Sequence, residues 1–570
     1  MTRAFFSQTL SKFTTLPRIY WFFGLMIACY ALPIFFAHAP WKPRDAIFIG
    51  LHLNQFQEGY ALFPMLTHQV WLSSGPLATW ISGLFTLFSD WPSVTLIRLP
   101  NLIYLAVFLW LSIKLTKYYP QTNDKLTLPI LLLATVGFLL PVHEATPVML
   151  LTMLWMLSFY AIINAGFKPL KSGILSGLSI AAVFLIIGYK PIWLVFVCMP
   201  LFVLIRPAIN VHPDPSTVPA LSTAQKITYL TATLIVALLP VTVWLYAAYT
   251  YDRETFYLWQ TYQMGRYTFF FPEIRRWLAI FKLIVWASFP LWPLALYTLF
   301  NERKRLFHFE YAVPAALFII SFFVMLLMGE IYFENIFLLV LPLAILANMR
   351  IQTLSNSVSG LLGWFSALIF SLIILYFWVV YSAMVFGIPE KFSLHLNKIF
   401  PDFVHPNHPV MVGLAFVISV AWFFFLWLRD KKTKPLRDLL NWTTGVGVFS
   451  AVTILLGLPL LDYLRSYEPV SQTIANAILL DSPNHDASKE CLAYHSVGPS
   501  QRASFVYFNR LNLRLDANRC RYLLVQDNTG SQFDPGEDWS FLIEAKRPKD
   551  KNEIYRLYHK ENRFDVRKGL

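Results

Sequence analysis

Residues 361–386 read LLGWFSALIFSLIILYFWVVYSAMVF, a run of 26 residues without one charged side chain. A helix needs about 20 apolar residues to cross the hydrocarbon of a bilayer, where every backbone N–H and C=O must be bonded inside the segment. Comparable runs occupy 19–36, 99–115, 126–141, 147–167, 172–188, 191–205, 227–250, 277–300, 311–328, 336–347, 409–428 and 439–461, so the sequence predicts about 13 transmembrane helices. The composition of the 570 residues agrees: 56% are hydrophobic and 14% charged, where a soluble protein has about 25% charged residues. No single water-soluble globule fits. The fold class expected is a mainly α, polytopic integral membrane protein.

The net charge of +14 would suggest nucleic acid in a soluble protein, but here the cations sit mostly in short loops between apolar runs. With the N-terminus inside, alternate loops hold Lys114, Lys117 and Lys125; Lys168 and Lys171; Arg206 and Lys226; Arg303, Lys304 and Arg305; Arg350; and Arg429 to Arg437. All fall on the cytoplasmic side, as the positive-inside bias requires, which makes nucleic acid an unneeded partner and places the C-terminus outside. The run 19–36 is too long for a signal-peptide core and reads as a retained first helix.

Two external regions stand out. The loop 37–98 contains an apolar stretch, 77–88, too short to cross and suited to an interfacial or re-entrant helix. Within the same loop, polar His52, Asn54, Gln55 and Gln57 alternate with Leu51, Leu53 and Phe56, which suggests an element lying on the membrane surface. After the membrane part, 1–461, the composition turns polar, and 462–570 reads as a small soluble α/β domain. Its strand candidates are 502–511, 521–526, 539–545 and 553–559. Cys491 and Cys520 lie in this domain, where a disulfide is expected, and with it an oxidising compartment such as a bacterial periplasm.

Ionisable residues on the outer side are informative because topology does not call for them there. Asp45 follows the first helix in Trp41-Lys42-Pro43-Arg44-Asp45 and suits a general base at the membrane surface. Lys190, in a tight outer turn, suits a lipid phosphate, because a point charge in a low-dielectric setting attracts an anion strongly. Arg266, Arg275, Arg276 and Lys282 look like an anion site. Glu58, His143, Glu144, Glu330 and Glu334 are candidates for orienting an acceptor or holding a divalent metal, with solvated loop positions as the plainer reading.

These features together resemble the GT-C membrane glycosyltransferases, and within them the lipid A aminoarabinose transferase and protein-mannosyltransferase-like family. Trp41-Lys42-Pro43-Arg44-Asp45 is similar to that family's Trp-x-Pro-acidic stretch, and Arg98-Leu99-Pro100 to its Arg-Leu-Pro. Tyr189-Lys190-Pro191 keeps the lysine of its Thr-Lys-Gly. Ser73-Ser74-Gly75-Pro76-Leu77 and Trp80 match its Glu-Lys-Pro-Pro-Leu and Trp with serines at the acidic and lysine positions, and Thr146 replaces the aspartate of an Asp-Pro turn. The resemblance implies a catalytic carboxylate at Asp45 and a sugar donor carried on a polyprenyl phosphate. It further implies transfer at the periplasmic face of the inner membrane to a lipid, glycan or protein acceptor. It fixes no cofactor and leaves a divalent metal open. The alternative from another class is a transporter or flippase of lipid-linked saccharides, against which the sequence shows no internal repeat and few charges at mid-membrane depth.

Overall fold

The computed structural model describes residues 38–59, 62–89, 91–118, 125–206, 220–400, 403–406, 408–428, 435–482, 488–515, 520–527, 533–547 and 553–560, and three positions within 24–29. The first expected span, 19–36, therefore lies outside the described residues apart from those three. Each of the twelve later runs falls on helix. Among the described residues, seven helices are long and apolar enough to cross a membrane, and nine segments qualify if each of two bent pairs is one span. The count of thirteen is thus not reached.

Length explains part of the difference. Ile192–Cys198, continued by a 3-10 stretch at Met199–Val203, and Phe337–Asn348 are apolar helices too short to pass on their own. Breaks explain the rest. The run 277–300 divides at Ser288–Pro290 into Ile274–Ala287 and Leu291–Asn301, bent by 95°, since a proline removes a backbone donor and clashes with the preceding turn. The run 126–141 divides into Thr127–Leu133, Val136–Phe138 and Leu139–His143. Gly137 lies at that break against the next bent segment: a Cβ there would stand 2.7 Å from the Ala287 carbonyl oxygen. The carbonyl freed at Ala134 accepts from Trp442 Nε1 at 2.8 Å, which makes irregular backbone tolerable at this depth.

The membrane helices pack through small residues. Gly173 and Gly177, four apart on Pro169–Ile187, let that helix approach Thr223–Tyr251 so closely that a Cβ on Gly173 would meet the Tyr229 carbonyl oxygen at 2.4 Å. Outward, long apolar side chains such as Leu239, Leu372 and Val417 are exposed, as a surface meant for lipid requires.

The loop after the first run forms the helix Arg44–Glu58, a short hairpin of β1 (Met65–Leu66) and β2 (Gln69–Val70), and the short apolar helix Leu77–Thr86. The C-terminal region carries a five-stranded sheet. Its strands are β3 (Cys491–His495), β4 (Asn512–Arg514), β5 (Tyr522–Asp527), β6 (Trp539–Lys546) and β7 (Ile554–Lys560), in the order β4-β3-β5-β7-β6. β3 pairs in parallel with β4 and β5, while β7 is antiparallel to β5 and β6. The expected strand at 502–511 is instead the helix Pro499–Asn509, the crossover that parallel β3 and β4 need. Proline in its first turn favours that start, and Phe505 enters the core between Tyr467 and Tyr555.

Cys491 opens β3 and is disulfide-bonded to Cys520, 29 residues away, just before β5. Constraint of a loop of that length in the unfolded chain is worth about 3–4 kcal/mol. Replacing both cysteines by serine should therefore lower the unfolding temperature of the purified protein, and a thermal-shift comparison with and without reductant checks it.

The C-terminal helix Pro499–Asn509 lies on Arg44–Glu58, with Gly50 giving room for Ala503. Arg502, 8% exposed, donates to Thr67 Oγ1 at 2.9 Å, Gln69 Oε1 at 2.8 Å and Tyr494 Oη at 2.6 Å. The hairpin of the first loop is thereby pinned by the last domain.

Candidate functional site

A cavity of about 310 Å³ opens where the Arg44–Glu58 helix, the chain after β2 and the turns at 146–148, 186–192 and 330–335 meet. Three cations and two carboxylates line it: Arg44, Lys190, Arg266, Glu330 and Glu334. Four of these are residues singled out in the sequence, brought together from turns far apart in the chain. Arg44, one residue before the expected catalytic carboxylate, went unnoticed; its place in the stretch Trp41-Lys42-Pro43-Arg44-Asp45 was the available signal.

The charges are arranged in pairs with one left over. Arg44 Nε stands 2.7 Å from Glu334 Oε1, and Arg266 Nη2 donates to Glu330 Oε1 at 3.1 Å. Glu330 is held further by Asn335 Nδ2, which donates to its carbonyl oxygen at 3.0 Å and to Oε2 at 3.3 Å. Both carboxylate oxygens of Glu330 are thus occupied, whereas Glu334 Oε2 carries no hydrogen bond among the described residues. Glu334 also has more solvent access, with 24% of its side chain exposed against 5% for Glu330. Lys190, in the turn after Gly188, has no carboxylate partner among the described residues. Burial, and then the Arg266 charge, push its ammonium down to about 8. Lys190 is therefore a cation in want of an anion.

Asp45 is not the exposed surface carboxylate expected. It is 1% exposed, behind the cavity wall, and its oxygens are taken. Oδ2 accepts from the Trp41 N–H at 2.9 Å and from Arg98 Nη2 at 2.5 Å, and Oδ1 from the Ala145 N–H at 2.5 Å. Arg98, fully buried, also donates to the His38 carbonyl oxygen at 2.8 Å. His38 Nε2 lies 3.1 Å from His143 Nδ1, and its ring packs at a tilt of 31° on Trp41, whose Nε1 donates to Asp462 Oδ1 at 2.6 Å. Burial and the Arg98 charge hold the His38 imidazole well below its usual range, so it is neutral. This buried network ties the entry of the Arg44–Glu58 helix to the turn at 143–145 and to the end of the helix Pro435–Arg465. Arg98 and His38 were missed as its members, because the pairing partner of a buried charge sits wherever the fold brings it.

The other expected residues lie apart. His143 belongs to the buried network. Glu144, half-buried in the turn beside it, is pushed up to about 8 by burial and then by the Asp45 charge. Arg275 is exposed, and Arg276 stacks over Phe270 at 4.1 Å. Lys282 borders a separate groove with Trp286 and Phe333. None of these three cations lines the cavity with Lys190. Glu58 closes its helix, and its side chain is outside the described residues. No cluster of three His, Cys, Asp or Glu residues suited to a metal occurs among the described residues.

No protein-family model and no curated protein sequence matches the chain. Its architecture does match solved structures. The crystal structure of ArnT from Cupriavidus metallidurans bound to undecaprenyl phosphate superposes with a TM-score of 0.66 at 13% sequence identity, covering 95% of this chain and 98% of that one. The apo state of the same protein gives 0.65 at 13% identity, over 95% and 97%. The chain has the GT-C fold of the lipid A aminoarabinose transferase that its motifs resemble.

Proposed function

We propose that this chain is an inverting glycosyltransferase that takes a sugar from a polyprenyl-phosphate donor, at a cavity facing the periplasm of a bacterial inner membrane, with the N-terminus cytoplasmic and the 462–570 domain outside. The observation that carries this reading is Lys190, without a carboxylate partner among the described residues, lining a mixed-charge cavity with Arg266, within a fold of which one solved structure holds undecaprenyl phosphate. In the reaction, the acceptor hydroxyl loses its proton to a carboxylate as its oxygen attacks the anomeric carbon. The bond from that carbon to the phosphate oxygen breaks, and the electron pair leaves with the lipid phosphate through an oxocarbenium-like transition state. Lys190 and Arg266 place fixed positive charge where that negative charge develops. Arg275, Arg276 and Lys282 do not line this cavity and are given no part in the role.

For the base, Glu334 Oε2 fits better than Asp45: it borders the cavity, and Arg44 steadies the other oxygen. Asp45 acts through Arg98 and Trp41 by fixing the first turn that carries Arg44. Glu330 holds Arg266 in place. The acceptor, whether lipid, glycan or protein, approaches from the aqueous side.

The test is donor binding and transfer by the purified full-length protein in lipid nanodiscs. Lys190→Ala should weaken binding of a polyprenyl phosphate about 10–100-fold, as loss of a hydrogen bond to a charged group predicts. The pH dependence has a definite sign: the ammonium is present below about 8, so wild-type affinity falls as pH rises through and above that value. Lys190→Arg keeps its charge throughout and should lose that decline. Translocation of a lipid-linked saccharide without any transfer would instead establish the flippase reading.

A further inference from the structure

The helix Ile274–Ala287 buries one stripe against the rest of the protein, Ile280, Ile284 and Ala287, at the spacing of a single helix face. Its opposite face is apolar and uncovered: Leu278, Phe281, Val285 and Trp286 are exposed, Trp286 by 78%. Lys282 stands on that uncovered face, and Arg275, two turns earlier, shares its side of the helix. Neither cation has a carboxylate partner or a hydrogen bond among the described residues. Lys282 also lines a groove of about 420 Å³, separate from the cavity of Lys190. Val136, Gly137, Leu283, Trp286 and Phe333 wall this groove, and among the described residues lining it Lys282 alone is charged. An ammonium in an apolar groove on a face turned to hydrocarbon calls for an anion, because an uncompensated charge there is costly.

We propose that the groove beside Lys282 is a binding site for one anionic phospholipid of the surrounding bilayer, separate from the Lys190 cavity. A phospholipid supplies both things the groove lacks. Its phosphate pairs with the Lys282 ammonium, and its chains cover Trp286, Val136 and Phe333. A zwitterionic headgroup brings a cation of its own to the phosphate, whereas an anionic headgroup leaves the phosphate to Lys282, so the site favours the anionic lipid. The groove adjoins the cavity through a single 3-10 turn, Phe333–Asn335: Phe333 lines the groove, and Glu334 and Asn335 line the cavity. A lipid seated on Phe333 therefore packs against the turn that carries Glu334. The lipid site itself stands independently of the role given to Glu334 above.

The experiment is native mass spectrometry of the full-length protein, delipidated in detergent and titrated with phosphatidylglycerol or with phosphatidylcholine carrying the same chains. Wild type should take up a single phosphatidylglycerol about tenfold more tightly than phosphatidylcholine, one charge-assisted hydrogen bond's worth. Lys282→Gln should lose that preference, and Lys282→Arg should keep it. Trp286→Ala leaves the ammonium in place and should weaken both lipids alike. Unfolding temperatures close to wild type establish that these variants, all at exposed positions, are folded. Equal affinity of wild type for the two lipids, or an undiminished preference in Lys282→Gln, overturns the site. Stoichiometric displacement of the bound phosphatidylglycerol by a polyprenyl phosphate assigns the groove to the donor and overturns it as well. Failure of a polyprenyl phosphate to bind through Lys190 overturns the donor reading and leaves a Lys282-dependent phosphatidylglycerol site standing.

Discussion

Replacing Asp45 by Asn should cost the fold about 3–5 kcal/mol, because the Arg98 guanidinium is then left buried without its counter-charge. The amide also offers an N–H where two of the three donors from Trp41, Ala145 and Arg98 now meet an oxygen. Purified Asp45→Asn should unfold at lower temperature than wild type, and the pair Asp45→Leu with Arg98→Met, which removes both charges, should recover part of the loss. Activity alone would mislead here, since a destabilised protein and a protein lacking its base both transfer slowly. If Asp45→Asn unfolds at the wild-type temperature, binds donor normally and fails to transfer, the base is Asp45 and the Arg98 pair opens on donor binding.

Glu334→Gln should lower the transfer rate about 10²–10⁴-fold, the usual consequence of losing a general base. The amide keeps the length and can still accept from Arg44 through its oxygen, so the wall should stand and the unfolding temperature change little. Binding of a polyprenyl phosphate should be retained or slightly improved, because removing a negative charge beside the phosphate site reduces repulsion. Single-turnover transfer with saturating donor separates the rate from the binding. Wild-type rates from Glu334→Gln would eliminate it as the base.

The sequence and the structure agree where the information is local. A run such as 361–386 shows its membrane burial in every residue, and the matching helix, Asn356–Phe386, runs to the same end. Lys190, Arg266, Glu330 and Glu334 were recognisable because cations and carboxylates are conspicuous in short turns between apolar runs. What the sequence concealed depends on partners distant along the chain. The break at 134–137 is stable because Trp442, 308 residues after Ala134, donates its indole N–H to the freed carbonyl. Asp45 reads as an exposed loop residue until Arg98 is placed beside it. The segment 502–511 alternates well enough to pass for a strand, and its helix is decided by the need to cross from β3 to β4.

The grip of Arg502 on Thr67, across 435 residues, bears on how the protein is made. The hairpin leading to Trp71 and the helix bearing Arg44 leave the ribosome early, yet the helix that braces them is synthesised near the end. The corresponding tie between Trp41 and Asp462 spans 421 residues. A nascent chain can insert its helices one after another, but its cavity walls gain their support only when the residues from Asp462 onward have folded against them. A chain that still lacks Arg502 and Asp462 therefore has a cavity whose walls are unbraced.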